Sequence, residues 1–140
     1  MAFALAVTSG VAAHAGAKMP VAGKDFDVVT RDNPAAQRFE LTFTSHAKRP
    51  ICLAPEQWPN QAGKIDWARD SVAVRVGTAH FPLSDWNGGY CVGGCVVAKV
   101  RRGESVNGFI PYKDFEGFGA EQYQARKELV FPPSAFWCSH

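Results

Sequence analysis

The period of the apolar residues constrains this chain more than any motif it carries. In "RFELTFTS", Phe39, Leu41 and Phe43 alternate with Glu40, Thr42 and Thr44. A period of two belongs to a strand with one buried face. "SVAVRV" sets Val72, Val74 and Val76 against Arg75, and Gly77-Thr78 then offers a turn into a return strand, "AHFPL". "CVVAKVR" alternates Cys95, Val97, Lys99 and Arg101 against Val96, Ala98 and Val100, until Arg102-Gly103 breaks it. "SVNGFIPY" resumes with Val106, Ile110 and Tyr112 on one side, "KELVF" precedes Pro132-Pro133, and "DFDVV" is a candidate first strand. The pattern predicts about seven short strands separated by turn signals. No long run holds a 3.6-residue period; "AEQYQARKEL" comes nearest and allows at most one short helix. Hairpin-length connections cannot make parallel crossovers, so the expected fold is all-β, a single antiparallel β-sandwich.

An immunoglobulin-like topology can be checked against residues. Trp67 follows Cys52 at about the spacing of the buried tryptophan in antibody-type domains. Cys91 then comes too early for the second cysteine, and Tyr90 is adjacent to it instead of two residues ahead. The antibody signature fails, while an immunoglobulin-like architecture stays open. "FELTFTSHAKRPICL", "GYCVGGC" and "RRGESVNGFIPY" resemble segments of small exported bacterial immunoglobulin-like β-sandwich proteins of unassigned activity. The resemblance covers roughly residues 38–138. It rests on structural punctuation, so it implies a fold and a compartment and no chemistry.

At 140 residues the chain is long enough for one domain with a real core. Residues 1–17, "MAFALAVTSGVAAHAGA", carry no Lys, Arg, Asp or Glu and are rich in Ala and Gly. Ala13-His14-Ala15 fits the small-x-small cleavage rule, with Ala15-Gly16-Ala17 as a second option, though the basic n-region is missing. The segment is read as an export signal or a disordered leader, too short to span a membrane, with residues 18–140 as the sandwich domain. An even set of four cysteines, Cys52, Cys91, Cys95 and Cys138, agrees with an oxidising compartment. No Asn-x-Ser/Thr triplet occurs, and periplasmic or secreted bacterial localisation is the expectation.

"GYCVGGC" asks whether Cys91 and Cys95 are metal ligands, a redox pair or a staple. Structural zinc wants a second close pair of ligands, and neither Cys52 and Cys138 nor His14, His46, His80 and His140 supplies one. Copper is the better soft-ligand candidate in a periplasm. A thioredoxin-type pair has two intervening residues at a helix start, and here a valine-rich strand follows instead. As a staple the stretch makes sense, because glycine permits the positive φ that a tight ring needs. The expected disulfides are therefore Cys91–Cys95 and Cys52–Cys138, with crossed pairings as the open alternatives. No cofactor is implied.

Other chemistry is thinly represented. There is no Gly-x-Ser-x-Gly, His80 sits beside Phe81 in a hairpin, and Asp66, Asp70 and Asp85 are scattered through loops. "KDFDV" lacks the oxygen density of a calcium loop. A net charge of +2 is too small for tracking phosphates, so nucleic acid is not an expected partner. The loops "APEQWPNQAGKIDWARD" and "FPLSDWNGGYC" concentrate Trp58, Trp67, Trp86 and Tyr90. Such rings either cap the ends of a sandwich or form a partner-binding patch on stapled loops. The leading reading is an exported non-enzymatic module that binds a protein or cell-envelope component. The alternatives are a periplasmic copper- or zinc-handling protein using Cys91, Cys95 and a histidine, and, behind it, a small hydrolase with no visible motif.

Overall fold

A computed structural model describes residues 18–53, 58, 72–84 and 97–139. Strand β1, Phe26–Asn33, pairs antiparallel with β2, Arg38–Ser45, through a short connection that holds one 3-10 turn, Pro34–Ala36. Proline at the first position pre-sets φ for that turn, and the Asn33 side chain accepts from Ala36 N–H at 3.1 Å. Gln37 then takes φ 51°, the left-handed conformation that returns the chain into β2. The other side of β2 pairs with β7, Ser105–Pro111, giving the order β1-β2-β7. Phe39, Leu41, Phe43 and Ser45 all lie inward along β2, as the period of two requires.

Two further three-stranded antiparallel sheets complete the described residues. One runs β6-β3-β9, with β3 at Ile51–Leu53, β6 at Ala98–Val100 and β9 at Phe136–Trp137. The other runs β5-β4-β8, with β4 at Ala73–Val76, β5 at Ala79–Pro82 and β8 at Glu128–Val130. Gly77-Thr78 closes the β4–β5 hairpin, and Gly77 takes φ 58° at its first central position, the backbone of a II′ turn. Gly103 at φ 80°, with Glu104 N–H donating to Arg101 O at 3.0 Å, makes a type II turn ahead of β7.

All three sheets feed one apolar cluster. Phe26, Phe39, Leu41, Phe43 and Ile110 come from the first sheet, Ile51, Leu53 and Val100 from the second, and Val74 and Leu129 from the third. Fully burying each such side chain stabilises the fold by about 1.5–3 kcal/mol. Aromatic rings bind the cluster together at its edges: Tyr112 lies 5.2 Å from Phe39, 5.3 Å from Phe118 and 4.8 Å from Tyr123, centroid to centroid.

The fold is all-β, with nine strands among the described residues against the expected seven or so. The additional ones, β3 and β9, are three and two residues long. Where at most one short helix is expected, the described residues hold three 3-10 turns: Pro34–Ala36, Tyr112–Asp114 and, within "AEQYQARKEL", Ala120–Gln122. No helix is long and apolar enough to cross a membrane among the described residues. The leader expected over residues 1–17 lies outside them.

Candidate functional site

The expected long-range disulfide is present. Cys52 and Cys138 are bonded, with Cα atoms 5.0 Å apart and a sequence separation of 86. The β3–β9 register brings them together: Ile51 faces Trp137 and Cys52 faces Phe136, while Cys138 N–H donates to Pro50 O at 3.2 Å. Both cysteines are buried. The companion pairing, Cys91 with Cys95, lies outside the described residues.

Trp58 is a correction. Grouped by sequence with the candidate binding surface, it is only 3% exposed and belongs to the core. Phe43 and Phe131 meet it edge to face, at 5.6 and 6.0 Å between centroids. An indole gains more from such a site than from water, because its large apolar area is removed from solvent. Trp67, Trp86 and Tyr90, with Asp66, Asp70, Asp85, His14 and His140, lie outside the described residues. His80 is exposed on β5, opposite Arg75. His46 bonds the exposed Asp27 at 2.7 Å. Among the described residues no three His, Cys, Asp or Glu side chains converge as metal ligands would.

What the structure does place is where the two aromatic segments are rooted. Residues 54–71 leave from Leu53 at the end of β3, and residues 85–97 return into Ala98 at the start of β6. Leu53 and Ala98 are direct register partners. At their other ends the same two segments join β4 and β5, where Ala73 faces Pro82 and Leu83 N–H donates to Val72 O at 2.9 Å. Both segments therefore span the same two ladder rungs. Buried Trp58 pins the first of them to the core from within.

A second cluster escaped the sequence reading. Asp32, near the end of β1, shares its side of the strand with Phe26 and Val28, so its carboxylate sits on the face that packs inward. Its Oδ1 accepts from the Tyr112 hydroxyl, and its Oδ2 lies 2.9 Å from Lys127 Nζ. The Lys127 side chain is 0% exposed and that of Asp32 is 31% exposed. Lys127 Nζ also donates to the carbonyls of Tyr123, at 2.6 Å, and Ala125, at 3.3 Å, and stands 5.0 Å from the Tyr112 ring centre. All three ammonium protons thus have acceptors. Burial first, and then the hydrogen bond and charge of Asp32, push the Tyr112 phenol well above its ordinary range. A saturated ammonium and a phenol that resists ionisation form a strut between β1 and the approach to β8, with no unengaged base or nucleophile. The inward parity of Asp32 is the one sequence signal that points to it.

The outward face of β1-β2-β7 is a polar grid. Thr42 bonds Asn107 at 2.9 Å, Thr44 bonds Ser105 at 2.7 Å, and Arg38 and Asn33 both donate to Glu40. Those two donors, Asn33 first, hold the Glu40 carboxyl below its usual value. The Arg38 guanidinium stacks on Phe109 at 4.8 Å.

No protein-family model, no curated protein and no solved structure matches this chain.

Proposed function

We propose that this chain is an exported, non-enzymatic β-sandwich of immunoglobulin-like type that binds a protein or cell-envelope component through its two aromatic segments. The observation that carries the reading is the shared rooting of residues 54–71 and 85–97 on the rungs Leu53–Ala98 and Val72–Leu83. Segments with common roots at both ends can present Trp67, Trp86 and Tyr90 to one partner, and rigid aromatics are the residues most enriched in binding hot spots. The Cys52–Cys138 bond supports export, since such bonds persist in oxidising compartments. It also holds β3, the root of residues 54–71 and the strand partner of β6, against β9.

The test is site-directed photocrosslinking in isolated envelope, with a photoreactive residue replacing Tyr90. The expected result is a discrete adduct of one size, lost in Trp67→Ala and Trp86→Ala variants whose thermal unfolding is unchanged. An adduct indifferent to both substitutions would overturn the assignment of the surface. Stoichiometric copper or zinc in protein purified without chelator would overturn the binding-module reading itself.

A further inference from the structure

We infer that the outer edge of β1 is a self-association surface, on which a second copy of this chain adds its own β1 antiparallel. The proposal stands independently of the aromatic segments. Among the described residues β1 has a strand neighbour on one side only, β2. The direction of its backbone groups follows from β2. Ser45 and Gln37 both bond toward the β7 side: Gly103 N–H donates to Ser45 O at 2.8 Å, and Tyr112 N–H donates to Gln37 O at 2.9 Å. Alternation then turns Arg38, Glu40, Thr42 and Thr44 toward β1, where they face Asn33, Arg31, Val29 and Asp27. Phe26, Val28, Thr30 and Asp32 are left with N–H and C=O aimed away from β2. Gly23 N–H occupies Phe26 O at 2.8 Å, which leaves Val28 and Thr30 as the middle of an outward-facing ladder.

The side chains along this edge are self-complementary. An isologous pair needs each residue to meet its complement across a twofold axis. With Val29 on the axis, Val28 of one copy faces Thr30 of the other, and two reciprocal backbone pairs form. Val29 then meets Val29, and Asp27, whose Oδ2 is held by His46 at 2.7 Å, turns its Oδ1 to Arg31 on both sides of the axis. Shifting the register by one allowed step places Val29 against Arg31 and destroys the charge match. Val29 is 63% exposed, the most exposed large hydrophobic residue among those described, and Met19 and Val21, also exposed, lie just ahead of the strand. An edge strand that presents apolar side chains and unpaired backbone is a template for another strand. Here the charges that flank Val29 select a second copy in one register. The product is a six-stranded sheet running continuously through the axis.

Sedimentation velocity and oxidative crosslinking test this with the Cys52–Cys138 disulfide left intact. Wild-type protein should form a dimer. Asp27→Arg and Arg31→Glu should each weaken it by tenfold or more, through like charges opposed twice. Mixing the two single variants should restore a heterodimer, because each introduced charge can then meet its opposite in the other copy. Val29→Cys should crosslink to itself on mild oxidation, since directly opposed residues of a non-hydrogen-bonded antiparallel pair lie about 4.5 Å apart, within disulfide reach. Thr78→Cys, exposed on the β4–β5 turn, should not. A wild-type protein that stays monomeric at all concentrations overturns the proposal. So does a dimer indifferent to both charge reversals, and so does Val29→Cys that crosslinks no faster than Thr78→Cys.

Discussion

Asp32 shows how one residue can link distant parts of this chain. It is held by Tyr112, 80 positions later, and by Lys127 beyond it, so β1 is tied to the approach to β8 through side chains alone. Removing one member of a buried ion pair leaves the other charged and uncompensated. Asp32→Ala should therefore cost about 3 kcal/mol, whereas Tyr112→Phe, which loses a single hydrogen bond, should cost about 1 kcal/mol. Urea denaturation measures both. The raised phenol pKa also fixes a pH dependence. The unfolded chain ionises Tyr112 near its ordinary value of 10.0 while the folded chain resists. The associated stability is thus intact below pH 10 and lost as pH rises above it. The denaturation midpoint of wild type should fall more steeply above pH 10 than that of Tyr112→Phe. None of this is legible as a site in the sequence, because an Asp at the end of a half-polar strand reads as solvated until its parity with Phe26 is followed through.

At the scale of elements, legibility follows length. β2 and β7 are eight and seven residues long, enough to display their period. β4 is visible through Val72, Val74 and Arg75. Ile51–Leu53 is buried on both faces and so has no alternation to read, and Phe136–Trp137 is too short to show any. Trp58 is misplaced by its sequence context for a related reason: its polar, Pro-containing neighbours describe a loop, and nothing local records that the ring turns inward onto Phe43. Turns are legible where glycine carries the geometry. A Cβ added at Gly77 would meet open space, but φ there is 58°, so Gly77→Ala should cost about 1 kcal/mol through backbone strain alone, with no clash. A thermal melt showing the variant as stable as wild type would contradict the II′ assignment of that hairpin.

For the whole molecule the decisive connection is covalent. The Cys52–Cys138 bond closes a loop with a sequence separation of 86, and chain-entropy arithmetic gives it about 4.5 kcal/mol against the unfolded state. Cys52→Ala with Cys138→Ala should lower the unfolding free energy by roughly that amount. A loss much smaller than this in denaturant titration would mean that the reduced unfolded chain is already compact. Cysteine count and spacing make the bond legible in the sequence, whereas the division of the strands into three small sheets is not, because pairing partners far apart in the chain leave no local mark. The bond also decides how the molecule answers to force. When the two ends are pulled apart, the covalent path of tension runs from Cys52 to Cys138 through the sulfurs and bypasses the backbone of residues 53–137. Roughly 300 Å of chain is thereby withheld from extension until the bond is reduced. The strands that root both aromatic segments all lie inside that shielded loop, apart from Ile51 and Cys52 at its mouth. Force entering through the two ends would stretch β1 and β2 first, whereas a partner held at the aromatic segments would pull inside the loop and load their roots directly.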